Sequence, residues 1–371
     1  MRRALVTGAE GFVGRHLVAA LARAGAAVDT FARGDADERL DQALGRADVV
    51  FHLAGVNRPE DPAEFAVVNT GLTRRLVERL AALGRAPTVV LASSTQAAAD
   101  NAYGRSKRDA ESALEAFGAS SGAPVRIYRL TNVFGRGARP NYNSAVATFC
   151  HNAARGLPLR VDDESHVVRL VHVDDVVAAF LSHLDDRTPG VTRPAAGPVR
   201  ETTVGALART VGGFAEARRT LELPDLSDPL TFRLYATYLT YLPTDAFAYP
   251  LEQRTDERGT LAEFVKSPSS GQIFVSRTRP GITRGNHWHQ LKAEKFLVLE
   301  GDAVVRFRAV DGSDVLAYPV RGTDFRVLDI PPGYTHSIEN VGTGELVVLF
   351  WASEVFDPAR PDTQFVPVLD A

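Results

Sequence analysis

The chain has 371 residues, 45% hydrophobic and 23% charged, a globular make-up long enough for two cores and free of the bias of disordered or fibrous sequence. A formal net charge of −3 and a pI near 6.3 give no electrostatic ground for a nucleic-acid or anionic-membrane partner. No apolar run approaches the ~18 residues of a membrane span, the run Ala4-Leu5-Val6 is too short for a signal-peptide core, and the single cysteine, Cys150, argues against a disulfide framework or a thiolate-rich metal site. The cytoplasm is the expected setting, and any metal must be held by His and carboxylate.

Up to about residue 240, β-rich runs at 4–7, 27–32, 49–53, 88–92 and 125–130 alternate with helical stretches such as 16–24 and 70–83, the pattern of βαβ units around a parallel sheet. From about residue 259 the rhythm changes to short strands between Gly, Pro and Asp turns, at 271–279, 294–310, 315–320, 325–330 and 345–351. That half reads as an all-β sandwich or barrel. Between them Tyr235, Tyr238, Tyr241 and Tyr249 crowd beside Pro243 and Pro250, and the boundary is placed near Leu242, giving domains 1–242 and 243–371.

The first β-run leads into Thr7-Gly8-Ala9-Glu10-Gly11-Phe12-Val13-Gly14 and then a helix, the context a dinucleotide fingerprint requires. Gly8 would form the tight turn, Gly11 would admit the pyrophosphate to the backbone, and Gly14 would let helix and strand touch, with Phe12 and Val13 in the phosphate-facing turn. The second β-run ends in Phe31-Ala32-Arg33. A base there favours the 2′-phosphate of NADP(H), with the nearby Asp35 as the competing acidic residue.

Only four lysines occur, and Lys107 lies four residues after Tyr103. On a helix the two share a face, so the ammonium, together with the positive nicotinamide ring, is expected to lower the phenol's pKa and let it exchange a proton with a carbonyl or carbinol oxygen while hydride moves. Ser93 and Ser94, at the end of the fourth β-run, offer a hydroxyl for the same oxygen.

With Phe51-His52-Leu53-Ala54-Gly55, Val68-Asn69-Thr70-Gly71, Asn132-Val133-Phe134-Gly135 and Val173-Asp174-Asp175-Val176, the first ~240 positions resemble the extended short-chain dehydrogenase/reductase family of nucleotide-sugar enzymes. The resemblance implies a Rossmann-type doubly wound parallel sheet, a catalytic set of Ser94, Tyr103 and Lys107, cofactor contacts at Leu53 and Ala54 as well as the glycine turn, Arg33 and Lys107, and Asn132 beside the sugar diphosphate. His52, alone in an apolar run, reads as a structural residue. In the polar loop Pro140-Asn141-Tyr142-Asn143-Ser144, Asn141 and Asn143 are candidate contacts to the sugar or uridine, or simply turn residues.

The second half holds three histidines, all in motif positions: Gly281-x5-His287-x-His289-x4-Glu294-x6-Gly301 and Pro331-x-Gly333-x2-His336-x3-Asn340. Two residues apart on a strand, His287 and His289 share a face and can converge on one ion, with Glu294 adding a carboxylate. The segments resemble the paired motifs of the cupin superfamily, a small β-barrel that holds a divalent metal through three His and one Glu. Phe325 stands where those motifs often carry glycine. Zn²⁺, Fe²⁺, Mn²⁺ and Ni²⁺ all suit such a set, zinc being the first expectation.

A nucleotide-sugar reductase fused to a cupin, with the tracts His52-Leu53-Ala54-Gly55-Val56-Asn57-Arg58-Pro59-Glu60, Gly285-Asn286-His287-Trp288-His289 and Phe356-Asp357-Pro358, resembles a family of two-domain capsular polysaccharide synthesis enzymes. That resemblance implies a bifunctional enzyme for a UDP-linked 4-keto-6-deoxy amino sugar. The cupin domain would invert C3 of UDP-2-acetamido-2,6-dideoxy-4-hexulose, and the reductase domain would reduce C4 with NADPH on the route to UDP-N-acetyl-L-fucosamine. The chemistry is coherent: a 4-keto group acidifies the C3 proton, an electrophile at the ketone stabilises the enolate, and reduction fixes the result. Tyr334, Glu339, Lys292 and Lys295 are all candidates for the epimerase base. Two alternatives stand beside this reading: a reductase whose cupin is a structural, dimerising module, and a non-catalytic NADP(H)-sensing regulator, against which the Tyr103/Lys107 pair argues. Exposed edges on an all-β domain lead to the expectation of a homodimer.

Overall fold

The apolar runs of the first half become β1 (Arg3–Thr7), β2 (Ala27–Phe31), β3 (Val49–His52), β4 (Thr88–Ser94) and β5 (Pro124–Leu130). After them come β6 (Asn132–Phe134), β7 (Val167–His172), β8 (Gly190–Thr192) and β9 (Arg200–Thr203). The computed structural model describes residues 1–369. It orders one six-stranded sheet β2-β1-β3-β4-β5-β8, every pairing parallel, while β6, β7 and β9 form a small sheet apart.

Alternation along each strand sends side chains to both faces, and both faces are covered. Leu5, Val50, Val89, Leu91, Val125 and Ile127 pack with Leu40 and Leu44 of α2 (Asp37–Arg46), Leu76 and Leu80 of α3 (Leu72–Ala82), and Leu114 and Phe117 of α4 (Ala102–Ser121). On the other face Ala4, Val6, Phe51, Val90 and Tyr128 pack with Leu17 and Leu21 of α1 (Phe12–Arg23) and Val176 and Phe180 of α6 (Val173–Leu181). The sheet is therefore the doubly wound, Rossmann-like one expected. Its order reverses at β1 and β3, and ligand crevices form at the carboxyl ends of strands at such a point. One local difference precedes α3: residues Phe65–Gly71 form a π-type turn, where the sequence pattern implied an ordinary helix start at residue 70.

The second half folds as β10 (Gln253–Asp256), β11 (Gly259–Ser267), β12 (Gly271–Thr278), β13 (Thr283–Trp288), β14 (Glu294–Glu300), β15 (Asp302–Ala309), β16 (Val315–Arg321), β17 (Val327–Ile330), β18 (Tyr334–Asn340), β19 (Leu346–Ala352) and β20 (Gln364–Phe365). Two antiparallel sheets result, β10-β11-β12-β19-β14-β17 and β16-β15-β18-β13-β20, with Phe296, Val298, Val305, Phe307, Ile338, Val348 and Phe350 in a shared core. The run expected as one strand over 294–310 breaks at Gly301, whose φ of +89° belongs to a turn that β-carbon-bearing residues resist. Phe325 takes the left-handed conformation itself, φ 46° and ψ 41°, so the turn forms without its glycine.

The chain divides into two compact units, Met1–Gly212 with Arg233–Leu242, and Gly213–Phe232 with the described residues of Pro243–Ala371. No helix among the described residues is long and apolar enough to cross a membrane.

Candidate active sites

In the first unit, the glycine turn sits at the carboxyl ends of β1 and β3. Gly8 has φ +70°, and a Cβ there would lie 2.7 Å from the Ala54 nitrogen; one on Gly14 would lie 2.1 Å from the Gly8 carbonyl oxygen. Both positions thus exclude side chains on steric grounds. Leu53 and Ala54 are tied to the same place, their N–H groups donating to the Thr7 carbonyl (3.2 Å) and hydroxyl (3.2 Å). Gly11 is the N-cap of α1 and no side chain caps that helix, so the leading N–H groups, those of Phe12, Val13 and Gly14 among them, suit a phosphate.

At the end of β2, Asp35 is engaged in the turn itself. Its carboxylate accepts from Ala32 N–H at 2.8 Å and pairs with Arg39 at 3.1 Å. Arg33 extends with its side chain 84% exposed, 3.6 Å from Glu64.

Ser94 ends β4 and Tyr103 lies in the first turn of α4, which sets the Ser94 side chain beside the phenol. Ser94 Oγ accepts from Gln96 N–H at 3.1 Å. Burial raises the Tyr103 phenol above its usual range, and the neighbouring Ser94 hydroxyl offsets only part of that. Lys107 Nζ donates to the Ala92 carbonyl at 3.1 Å and stands 5.9 Å from the centre of the Tyr103 ring. Its ammonium is buried, which lowers its pKa to about 8 against the opposing charge of Glu111.

Sequence reasoning missed the support beneath this group. Glu111, one helical turn beyond Lys107, is buried, accepts from Ser93 Oγ and pairs with Arg129 at 2.7 Å. Ser93 is therefore occupied, and of the two serines Ser94 is the one beside the phenol. Asn69 Oδ1 accepts from Val56 N–H at 2.9 Å while its amide donates to Ser106 Oγ at 3.0 Å. Phe65 packs on the Tyr103 ring at 5.5 Å. The i+4 position of Glu111 was a signal available in the sequence. His52 is structural as expected: both ring nitrogens meet threonine hydroxyls, Thr7 at 2.7 Å and Thr73 at 2.9 Å, and burial lowers its pKa to about 3.

The candidate sugar contacts are dispersed. Asn132 opens β6, exposed, its amide donating to the Arg169 carbonyl at 3.2 Å. Asn141 has φ 56° and its N–H donates to Thr148 Oγ1 at 2.9 Å. Asn143 is exposed just before Ser144, the N-cap of α5 (Ala145–Ala153). Among the described residues no hydrogen bond joins these asparagines to Ser94, Tyr103 or Lys107.

In the second unit, His287, His289, Glu294 and His336 converge, each offering a ligand atom within 4.8 Å of the others. His287 and His336 are direct partners across β13 and β18. The geometry differs from the expected strand pair, because β13 ends at Trp288 after a bulge at Asn286, φ 58°. His289 lies just past the strand end and is held there through its ring Nδ1, which donates to the Asp362 carbonyl. His289 Nε2 and His336 Nε2 approach Glu294 Oε2 at 3.4 and 3.3 Å without hydrogen-bond geometry, and both nitrogens are buried with no hydrogen-bond partner. Two buried, unpartnered nitrogens beside one carboxylate are what a divalent cation would satisfy. Burial would raise the Glu294 carboxyl, but the approach of His289 and His336 outweighs it and holds the group well below the usual carboxylate range. Burial, and then His336, lowers His287 to about 4. At His287 and Glu294 this leaves a neutral imidazole and an ionised carboxylate near pH 7, the protonation states ligation requires. Of the base candidates, Glu339 pairs with Arg306 at 2.6 Å and Lys295 with Asp329, whereas Lys292 is buried on the loop after His289.

Two family models match the chain: "NAD dependent epimerase/dehydratase family" over residues 4–193 and "Polysaccharide biosynthesis C-terminal domain" over residues 254–364. A curated relative, UDP-2-acetamido-2,6-beta-L-arabino-hexul-4-ose reductase of Pseudomonas aeruginosa, is 44% identical over 362 residues, 97% of this chain and 97% of the relative. The crystal structure of the capsular polysaccharide assembling protein CapF from Staphylococcus aureus superposes with a TM-score of 0.90 at 41% identity, covering 98% of this chain and 100% of that one. MoeE5, solved in complex with UDP-glucose and NAD, is 27% identical with a TM-score of 0.51, covering 57% of this chain and 81% of its own.

Proposed function

The chain belongs to the NAD dependent epimerase/dehydratase family, with the polysaccharide biosynthesis C-terminal domain joined to it in one polypeptide, and from that premise we propose a bifunctional nucleotide-sugar enzyme. Its second unit epimerises C3 of a UDP-linked 2-acetamido-2,6-dideoxy-4-hexulose, and its first unit reduces the C4 ketone with NADPH. The observation that carries the reading is the placing of Tyr103, at the start of α4, beside Ser94 at the carboxyl end of β4, in a chain 44% identical to a reductase of such a hexul-4-ose over almost its whole length.

Gly8, Gly11, Phe12, Val13, Gly14, Leu53 and Ala54 would hold the dinucleotide, in the turn where added Cβ atoms would collide. Arg33 would meet the 2′-phosphate; the engagement of Asp35 with Ala32 and Arg39 removes the competing acidic group and supports NADP(H) over NAD(H). When bound, the nicotinamide supplies hydride to C4. Tyr103 then gives its phenolic proton to the carbonyl oxygen, Ser94 hydrogen-bonds that same oxygen and orients it, and Lys107 contributes its positive charge to the site and a donor for the cofactor's ribose. Asn132 fits a role at the sugar diphosphate, and Asn141 and Asn143 at the sugar or uridine.

In the second unit, read as a cupin barrel, His287, His289, Glu294 and His336 would hold a divalent ion, zinc foremost. When bound, it supplies a Lewis-acidic charge that lowers the cost of removing the C3 proton. Their own part is to fix that charge in a buried place, with the Glu294 carboxylate ionised. Reduction after epimerisation draws the equilibrium forward by removing the ketone that permits exchange. The proposed setting is the cytoplasm, and the proposed assembly a homodimer.

The test is incubation with the UDP-4-hexulose in D₂O, following C3 deuteration by NMR, before NADPH is added and absorbance at 340 nm followed. Deuteration and then NADPH oxidation is the expected result. NADPH oxidation without exchange would leave the second unit a structural module, and neither signal would overturn both assignments.

A further inference from the structure

We propose that Asp362 is a positioning residue for the His/Glu cluster, a clamp by which the C-terminal segment fixes the ring of His289 and the loop behind it. The inference rests on the reading of that cluster as a metal centre.

Asp362 directs all its acceptors at one loop. Its Oδ1 accepts from Gln290 N–H at 2.8 Å, its Oδ2 accepts from Leu291 N–H at 2.8 Å and Lys292 N–H at 2.8 Å, and its own carbonyl accepts from His289 Nδ1. A carboxylate shared among three successive backbone donors holds a loop more tightly than neutral acceptors would. The fourth contact decides the tautomer: with the proton on Nδ1 and bound to a carbonyl, the lone pair of His289 lies on Nε2. Nε2 is the buried atom of this ring that has no hydrogen-bond partner, and it faces Glu294 at 3.4 Å.

The same segment continues along the other ligands. Gln364 and Phe365 pair with Trp288 and His287 in β13, Val366 N–H donates to the Asn286 carbonyl at 2.9 Å, and Thr335, next to His336, donates its hydroxyl to the Val366 carbonyl at 2.5 Å. The tail therefore touches the backbone or ring at all three imidazole ligands or their neighbours, and Asp362 is its one charged anchor there. None of these contacts is made by the side chains of the unit's apolar core, which come from β14 to β19. Removing the carboxylate frees the loop, and through it loosens the hold of the Asp362 carbonyl on the His289 ring, while leaving that core.

The experiment uses the full chain, stripped with a chelator, and titrates Zn²⁺ against a chromophoric zinc-binding dye. Wild type is expected to bind one zinc. Asp362→Ala is expected to bind about 10–100-fold more weakly, the range found when outer-shell partners are lost. Asp362→Asn, which keeps one acceptor oxygen, should fall between them and serves if the alanine variant fails to fold. Hydrogen exchange at the amides of residues 290–292 should quicken in the metal-free variant. A merely structural Asp362 would lower the Tm of the metal-free protein and leave zinc affinity where it was. Wild-type affinity in both variants therefore overturns the clamp and leaves the metal centre standing. Failure of the wild type to bind zinc, or unchanged binding by His289→Ala, overturns the metal reading and the clamp with it.

Discussion

The Lys107 ammonium donates to the Ala92 carbonyl at 3.1 Å, so its position is set by the end of β4 rather than by the Tyr103 phenol. Burial has lowered its pKa from the ordinary 10.5 to about 8, which makes pH a probe of it. Below about 8 both folded and unfolded chains carry the proton, and the cost of the buried charge is fully present. Between about 8 and 10.5 the unfolded chain binds more protons, so this group adds stability as pH rises. If reduction needs the ammonium, activity moves the opposite way. The kcat/KM for C4 reduction should fall as pH rises through about 8, while chemical denaturation should show no matching loss of stability. The phenol, raised above 10, stays protonated there and cannot account for the descending limb. A flat profile between pH 7 and 9 would remove Lys107 from the reaction.

Tyr103 and Ser94 should separate by magnitude. Tyr103→Phe removes the proton donor and leaves the ring packed against Phe65, so kcat for C4 reduction should drop ~10²–10⁴-fold with an unchanged Tm. Ser94→Ala has two effects, since its hydroxyl stands beside the phenol and accepts from Gln96 N–H. That contact caps the 3-10 turn Thr95–Ala98, and its loss should cost about 1 kcal/mol of stability, visible by denaturant titration, with a smaller fall in kcat than Tyr103→Phe. Equal kcat for wild type and Tyr103→Phe would end the proposed proton transfer.

The two glycines of α1 differ in what a methyl would meet. At Gly11 a Cβ would lie 3.1 Å from the Gly8 carbonyl oxygen; at Gly14 it would lie 2.1 Å from the same oxygen and 2.8 Å from the Ala9 Cα. Gly11→Ala needs a shift of a few tenths of an ångström and should fold, whereas Gly14→Ala must push α1 from β1. Gly11→Ala is therefore expected to raise the KM for NADPH with little change in Tm, and Gly14→Ala to lose stability as well as cofactor binding. Normal stability in Gly14→Ala would show that the helix can move away freely.

What the sequence made legible was local. The glycine turn could be read because close backbone approach restricts three spaced positions to glycine, and the His/Glu cluster because all three histidines of the second half stand at motif spacings. What escaped was long-range or irregular. Asp362 bonds His289 from 73 residues away, and no spacing encodes that. The pairing of Arg129 with Glu111 joins a strand to a helix, and its role appears only once β4 and β5 lie side by side. The bulge at Asn286 moves His289 off the strand, a change that alternation along a strand has no means to signal. The asparagines 132, 141 and 143 were legible as polar loop residues, but the loops that carry them fix no shared direction.

Phe325 offers a test of fold energetics that avoids both sites. It holds a left-handed backbone, φ 46° and ψ 41°, while its side chain is 74% exposed and so gains little from burial. An L-residue in that conformation carries roughly 1–2 kcal/mol of steric cost, and glycine would escape it at an entropic cost of ~0.5–1 kcal/mol. Phe325→Gly should therefore stabilise the second unit by about 0.5–1 kcal/mol, a Tm rise on the order of 2–4 °C by calorimetry. Phe325→Ala retains the Cβ and with it the strain, so it should give no gain. The contrast isolates the backbone, because both variants lose the same ring. If alanine and glycine behave alike, the strain is not expressed in stability; if both lower the Tm, the exposed ring contributes packing that outweighs the cost of its backbone.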